Sequence, residues 1–293
     1  MTQHKIWLGT LAGICMILIL LVISVPEGAR TLASYMRSQG AASTLALSLP
    51  FHYEFRVPGV LEETGNPARS SSPYWWLNSG GQFTLEDGVG KSVHGELPPY
   101  QKWRLAYALA NPLDTDEGYH PQNILRLITR TQWQNVSASL YFRVETERLS
   151  ESPNRNASNG LLLMSRYYDG DNLYYAGIRT DGQAVIKKKK DGIYHTLALT
   201  PLFPDEYDRT YAPNLIPHDT WIGLRIETVN DARGGVSIRL FTDVGHTDTW
   251  TLVAEAYDDG QSFGGSAHRT QGHLGVRTDF MDVMFDDFWV RRS

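Results

Sequence analysis

The strongest constraint on the fold of this chain is residues 159–199, NGLLLMSRYYDGDNLYYAGIRTDGQAVIKKKKDGIYHTLAL. Turn signals at residues 169–172, 180–182 and 190–192 divide this segment into four runs that are rich in β-branched and aromatic residues. Asp-Gly pairs tolerate the positive φ that tight hairpins require. The segment therefore predicts a four-stranded antiparallel meander, and one open face of such a sheet commonly carries a ligand site.

Period-two alternation predicts further strands on both sides of the meander. In residues 45–57 every odd position is apolar or aromatic, and Pro50 indicates an edge strand. The other predicted strands are residues 82–85, 102–109, 124–130, 136–145, 221–228, 235–242, 250–256, 272–278 and 283–291. A dozen or more short strands favour an all-β fold, a two-sheet antiparallel β-sandwich or jelly roll formed by residues 45–293.

The amino-terminal segment predicts a membrane anchor. Residues 6–25 are twenty residues without a charge, which as a helix would span a hydrocarbon core of ~30 Å. The alternative is a cleaved signal peptide, whose apolar core is usually ~7–15 residues long. Residues 26–44 are small and polar and predict a stalk. We expect one transmembrane helix, with the β domain on the extracytoplasmic side.

Charge and cysteine content exclude several classes of function. The formal net charge is -5 and only 20% of residues are charged, so no broad basic surface is available for nucleic acid. Cys15 is the single cysteine, which excludes an intramolecular disulfide and a cysteine-based zinc site. No serine-hydrolase elbow or nucleotide-binding fingerprint is present.

Alternation within the meander places a group of aromatic and cationic side chains on one face. Tyr175 and Arg179 share a face of one strand, and Lys187 and Lys189 share a face of the next. If the hairpin pairs these faces, they form a predicted glycan-binding patch, which Arg166 and Tyr168 would extend. The alternative for the lysines is a solvated hairpin end or a protected edge strand.

The pair Trp75 and Trp76 offers a second aromatic surface. Adjacent strand residues point to opposite faces, so one tryptophan belongs to the core. The other is a candidate sugar platform, and the alternative is packing beneath a loop.

Three segments resemble the concanavalin A-like lectin/glucanase superfamily: SGGQF at residues 79–83, WIGLRIETVN at 221–230 and GHLGVRTDFMDVMFDDFWVRR at 272–292. The resemblance implies a sandwich whose closing strand returns beside the amino-terminal strand, and a glycan ligand. It also implies a structural calcium held by Asp287, the position matching the carboxylate of the closing strand. Such a cation takes six to eight oxygen ligands.

The chain lacks the carboxylate spacing that glucanase catalysis requires. Glucanases of this superfamily carry two carboxylates as E-x-D-x-x-E, because acid and nucleophile flank the scissile bond, and that spacing is absent here. A polysaccharide lyase would use Tyr175, His120 and Arg179 for proton transfer and charge neutralisation. We predict a membrane-anchored, extracytoplasmic carbohydrate-binding domain. The alternatives are a lyase or glycoside hydrolase of the same fold and a structural or protein-interaction domain of the cell envelope.

Overall fold

The computed structural model describes residues 47–293, which form two antiparallel β-sheets. The strands are β1 (Phe51–Tyr53), β2 (Gly59–Glu62), β3 (Trp75–Ser79), β4 (Gln82–Glu86), β5 (Val89–Lys91), β6 (Ile124–Trp133), β7 (Val136–Glu147), β8 (Gly160–Asp169), β9 (Asn172–Arg179), β10 (Gln183–Lys190), β11 (Ile193–Pro201), β12 (Ile222–Asn230), β13 (Val236–Val244), β14 (Thr251–Asp258), β15 (Gly272–Asp279) and β16 (Met281–Arg292). The α-helix α1 (Lys102–Ala110) and two short 3₁₀ helices, Pro67–Arg69 and Pro121–Asn123, lie between strands.

The two sheets pack face to face around one large core. The first sheet has the order β14-β13-β12-β7-β16-β5-β4-β2, with β1 beside β16, and the second has the order β11-β10-β9-β8-β15-β6-β3. Alternate side chains of each sheet fill the space between them, including Ala176 and Ile186 from the second sheet and Leu224 and Phe285 from the first. We call the side of each sheet that faces the core its inner face, and the other side its outer face.

The predicted meander is confirmed. Strands β8 to β11 occupy the predicted segment and pair in sequence order. Asp191 and Gly192 have φ of +50° and +84° in the last turn, the positive values that favour Asp-Gly in a two-residue hairpin. Local turn chemistry and alternation therefore specify this part of the sheet.

The closing strand lies beside the first strand of the described chain. In the β1–β16 pair, Phe51 is opposite Val290 and Tyr53 is opposite Phe288. The predicted two-sheet antiparallel sandwich is confirmed, and its closure by β16 matches the architecture that the resemblance to concanavalin A-like proteins implies.

The strand predicted at residues 102–109 is wrong, because these residues form α1. Trp103, Leu105, Tyr107 and Leu109 recur at every second position, but of the helix residues only Tyr107 is buried. Leucine, alanine, lysine and arginine are good helix formers, and the Gln101 side chain caps the helix by accepting a hydrogen bond from the Trp103 N–H. Helix propensity and capping outweigh the alternation here.

The opening strand is shorter than predicted. Of the described residues 47–57, Phe51–Tyr53 alone pair with another strand. The strand ends before Phe55 because this residue adopts φ +52°, a left-handed conformation that interrupts a strand. The predicted anchor at residues 6–25 and stalk at residues 26–44 lie outside the described residues. Within residues 47–293, no helix is both long enough and apolar enough to span a bilayer.

Candidate functional site

The outer face of the second sheet carries the predicted patch. Lys187 lies opposite Tyr175, and Tyr175 lies opposite Met164, so a row of side chains crosses β10, β9 and β8. The adjacent row ends with Leu162 opposite Arg277 and Arg277 opposite Arg126. Alternation thus places Tyr175 and Lys187 on one surface, as predicted.

These two rows form the floor of a groove of about 630 Å³. Six side chains supply its aromatic, apolar and cationic surface: Arg126, Leu162, Tyr175, Lys187, Tyr194 and Arg277. Six more supply a polar rim from the loops before β6 and before β8: Asn111, Asp114, Asn154, Asn156, Ser158 and Asn159. On the same face, Leu162 and Tyr175 belong to a second apolar cluster with Ile128, Met164 and Val185, so these floor residues are packed against buried neighbours.

Tyr175 and Tyr194 form the aromatic part of the groove. Their rings stack with centroids 6.1 Å apart and an interplanar angle of 27°. Tyr175 is only 2% exposed whereas Tyr194 is 47% exposed. Tyr194 therefore presents a ring surface to solvent, supported from below by Tyr175.

Arg277 is fixed by two partners. Its Nε donates to Asp279 Oδ1 at 2.8 Å and its Nη1 donates to the Tyr194 hydroxyl at 3.2 Å. Burial opposes the charged form, but Asp279, Tyr175 and Tyr194 outweigh burial and hold the pKa of Arg277 well above its usual value. Arg277 is a permanent, oriented cation in the groove.

Arg126 lies directly across the strand pair from Arg277. Like charges in opposite positions of neighbouring strands destabilise a sheet. Within residues 47–293, Arg277 has a carboxylate partner, but Arg126 has no carboxylate within 4.0 Å and makes no side-chain hydrogen bond. The groove therefore contains a guanidinium whose donors are available.

Lys187 is a second cation of the groove, and no carboxylate in residues 47–293 lies within 4.0 Å of its amino group. This amino group lies 5.9 Å from the centre of the Tyr194 ring. Burial lowers the pKa of Lys187, and the nearby Arg179 and Arg277 charges lower it further. An anion bound beside Lys187 would favour its charged form and so oppose this lowering of the pKa.

The two tyrosines have opposite pKa shifts. Burial raises the pKa of Tyr175. Burial also acts to raise the pKa of Tyr194, but the positive charge of Arg277, the hydrogen bond from Arg277 and the charge of Lys189 outweigh burial and lower this pKa. The Tyr194 hydroxyl is consequently the more acidic of the pair.

Hydrogen bonds between the two rim loops shape one end of the groove. Asp114 Oδ1 accepts from Ser152 Oγ at 2.5 Å and from Asn154 Nδ2 at 2.9 Å. Asn159 Oδ1 accepts from the Asn156 N–H at 2.6 Å. Asparagine side chains carry both donors and an acceptor, so this rim can accept hydrogen bonds from sugar hydroxyl groups and donate hydrogen bonds to them.

Arg179 and Lys189 lie next to the groove but do not line it. Arg179 donates to Asp181 at 2.6 Å and to the Ala157 carbonyl at 3.1 Å. Lys189 donates to the Gly170 carbonyl at 2.7 Å and to Asp171 at 3.0 Å. The structure thus separates these two cations, which already have partners, from Arg126 and Lys187.

Arg166 and Tyr168 do not extend the patch. Arg166 is buried and donates to the carbonyls of Arg269 and Thr270 at 2.8 and 2.7 Å. Its φ of +50° accompanies an irregularity in the β8–β9 pairing, which turns the side chain away from the outer face. The Tyr168 hydroxyl donates to the Thr270 carbonyl at 3.1 Å, outside the groove.

Trp75 and Trp76 point to opposite faces, as predicted, but neither offers an open platform. Trp75 belongs to the core between the sheets. Trp76 belongs to the outer apolar cluster, is also buried, and donates to the Thr64 carbonyl at 2.8 Å. Packing beneath a loop, the alternative reading of Trp76, agrees with this geometry.

The lyase constellation is not assembled as predicted. Of the three residues proposed for it, only Tyr175 lines the groove. His120 Nδ1 lies 2.8 Å from Asp116 Oδ2, in the loop after α1. The structure instead places Tyr194 and Arg277 beside Tyr175.

Asp287 lies at a bulge of β16, with φ +56°. Its Oδ1 lies 2.5 Å from His52 Nε2 and accepts a hydrogen bond from Trp289 Nε1 at 3.0 Å. Among residues 47–293, no group of three or more His, Cys, Asp or Glu side chains is placed to hold a metal ion. A calcium ion at Asp287 would need backbone carbonyls and water for most of its ligands, and it remains a prediction.

Sequence reasoning missed Arg126, Tyr194 and Arg277. The signal for Arg126 was a single charge inside the apolar run ILRLI, whereas Arg277 lies in LGVRTD, between an apolar stretch and the polar residues Thr278 and Asp279. Their proximity depends on the β6–β15 pairing between segments about 150 residues apart, which no local pattern specifies.

No protein-family model matches the sequence, and no curated protein matches it significantly. Among solved structures, the chain is similar to the carbohydrate-binding module CBM66 from Bacillus subtilis, with 12% identity, a TM-score of 0.44, and coverage of 74% of this chain and 94% of that chain. It is also similar to a protein with a galectin-like fold from Bacillus subtilis, with 12% identity, a TM-score of 0.47, and coverage of 86% of this chain and 97% of that chain. A lichenase from a mouse hindgut metagenome is similar with 10% identity, a TM-score of 0.44, and coverage of 83% of this chain and 99% of that chain. At these values the likeness assigns neither a ligand nor an activity to this chain.

Proposed function

We propose that this protein binds a carbohydrate in the groove on the outer face of the second sheet. The observation that carries the proposal is the combination of an exposed, supported tyrosine ring, Tyr194, with a rim of asparagine side chains. Aromatic rings pack on the apolar faces of sugars, while amide groups pair with hydroxyls. A groove with few, well-placed polar groups is the usual form of a small-ligand site.

A binding screen of the purified full-length protein tests this proposal. Affinity electrophoresis through gels containing neutral or acidic polysaccharides should show retardation on at least one polymer. Migration that is unchanged in every gel would overturn carbohydrate binding and would favour a structural or protein-interaction role at the cell envelope, which a pull-down of a partner would then support.

We further propose that residues 6–25 anchor the protein in a membrane, with the β domain on the extracytoplasmic side. The length and apolar character of that segment support the anchor. Protease added to intact cells should remove the β domain while a cytoplasmic marker survives. Recovery of a shorter, freely secreted protein would instead support cleavage of a signal peptide.

A polysaccharide lyase is the second candidate, because the lowered pKa of Tyr194 favours proton transfer beside the Arg277 cation. In that reaction Tyr194, as a phenolate, would take the proton next to a uronate carboxylate, and a carbon–carbon double bond would form as the bond to the glycosidic oxygen breaks. The leaving oxygen would receive a proton from Tyr175, and proton exchange with water would then restore both tyrosines. Incubation with alginate or pectate should then produce the ultraviolet absorbance of unsaturated ends. No absorbance change, together with retained binding, would leave binding alone.

A further inference from the structure

We infer that the ligand of the groove is a polyanionic saccharide that spans several strands of the second sheet. This inference rests on the proposed carbohydrate binding and specifies its ligand class. Arg126 and Lys187 carry it, because both line the groove and neither has a carboxylate within 4.0 Å among residues 47–293.

The neighbouring cations on this surface are each paired with a carboxylate of the protein. Arg277 pairs with Asp279, Arg179 with Asp181 and Lys189 with Asp171. The groove itself contains the two carboxylates of Asp114 and Asp279, and both are engaged by protein donors. Arg126 and Lys187 are therefore left to a negative charge from outside the chain.

Retaining these cations has an energetic cost in the free protein. Arg126 lies opposite Arg277, a like-charge pair that destabilises the sheet. Lys187 is partly buried near the Arg179 and Arg277 charges, which lower its pKa. A carboxylate or a sulfate ester would offset both costs through charge-assisted hydrogen bonds, and a guanidinium can bind either group with two parallel bonds.

The spacing of the two cations indicates more than one anionic group. Lys187 lies on β10 and Arg126 on β6, four strand positions apart in the sheet, so their backbones are separated by roughly 19 Å. The tyrosine pair lies at the β10 end of the groove, where Tyr194 is in contact range of Lys187. An oligosaccharide with a repeating acidic group, laid across the strands, places one ring on Tyr194 and separate anions near Lys187 and Arg126.

The test compares polymers that share a sugar backbone and differ in whether it carries anionic groups. Binding of the full-length protein to polygalacturonate is measured beside fully methyl-esterified polygalacturonate, and binding to dextran sulfate is measured beside dextran. We expect the charged polymer of at least one pair to bind about tenfold more tightly than its neutral counterpart. This is the difference expected when the neutral polymer lacks one charge-assisted hydrogen bond that the charged polymer makes. The pair that responds identifies carboxylate or sulfate as the recognised group.

Variants assign the effect to the groove. Arg126→Gln and Lys187→Gln should each weaken binding of the charged polymer about tenfold and bring it closer to that of the neutral counterpart. The matched control is Arg56→Gln, which removes an equally charged side chain that is 73% exposed and lies outside the groove. A similar loss in the control would show non-specific attraction and would overturn the inference.

The remaining outcomes separate this inference from the proposed function. Equal binding of charged and neutral polymers, unaffected by Arg126→Gln and Lys187→Gln, would overturn polyanion recognition while carbohydrate binding stands. Absence of binding to all four polymers and to neutral β-glucans would overturn both.

Discussion

Lys188 Nζ lies 2.8 Å from Asp258 Oδ2, and both side chains are completely buried. The adjacent Lys187 lines the groove on the opposite face of the same strand. Asp258 also accepts a hydrogen bond from the Tyr174 hydroxyl at 2.5 Å, and Lys188 donates to the Gly265 carbonyl at 2.7 Å. Within one run of four lysines, alternation therefore assigns one side chain to a buried structural pair and its neighbour to the candidate site.

Replacing Lys188 should strongly destabilise the fold. Lys188→Met leaves the Asp258 carboxylate buried without its cation, and removing one partner of a buried pair costs about 3–5 kcal/mol. Urea unfolding measures the free energy of unfolding directly. Lys190→Met is the matched control, since Lys190 pairs with the exposed Asp191 and a surface pair contributes about 0–1 kcal/mol. Equal effects of the two substitutions would contradict the structural role of Lys188.

Removing the exposed ring of Tyr194 should weaken glycan binding without unfolding the domain. Tyr194→Ala removes the surface that Tyr175 supports, and we expect a loss of affinity of about 1 kcal/mol, roughly fivefold. Isothermal titration with the polymer retained in the binding screen measures this change. Tyr211→Ala removes a ring that is 91% exposed and outside the groove, and should bind as the wild type does. Unchanged affinity in Tyr194→Ala would exclude the ring from the binding surface.

Calcium should raise the melting temperature if Asp287 holds the ion that the superfamily resemblance implies. A ligand that binds only the native state stabilises that state by mass action. The measurement is the difference in Tm between calcium and chelator, for the wild type and for Asp287→Asn and Asp191→Asn. We expect this difference in Tm to vanish in Asp287→Asn and to persist in the wild type and in the control variant Asp191→Asn. Equal Tm values for the wild type with calcium and with chelator would remove the calcium site.

Acid should destabilise the fold through His268. This histidine donates from Nε2 to the Lys189 carbonyl at 2.9 Å. Burial lowers its pKa, and the Lys188 and Lys190 charges add to this while Asp258 opposes it. Because the folded pKa is depressed, the stabilisation is complete above the unfolded pKa of about 6.5 and is lost as pH falls toward the folded pKa.

The free energy of unfolding should therefore decrease below about pH 6.5, and His268→Gln should make this decrease shallower. Glutamine retains a donor for the Lys189 carbonyl but does not titrate. Some slope should persist, because burial also lowers the pKa of His273, which donates to the Thr129 carbonyl at 2.7 Å. Identical pH profiles in wild type and variant would rule out a contribution from His268.

The meander could be predicted because its determinants are local. Asp191 and Gly192 supply the positive φ of a hairpin turn, and the period of two separates Tyr174 and Ala176 from Tyr175. The same alternation failed at α1, where Gln101 caps a helix. It also failed to place Arg166, because a pairing irregularity changes the direction of that side chain.

The sequence by itself determined the all-β class, the four hairpin strands and which of their side chains share a face, since turn conformation and strand pleat depend on neighbouring residues. Only the tertiary structure decided that Arg126 and Arg277 adjoin Tyr175, and that the loops bearing Asp114 and Asn156 close one end of the groove. Those relationships arise from pairing between strands that are distant in the chain. That pairing is selected by burial of the whole core, which no short segment encodes.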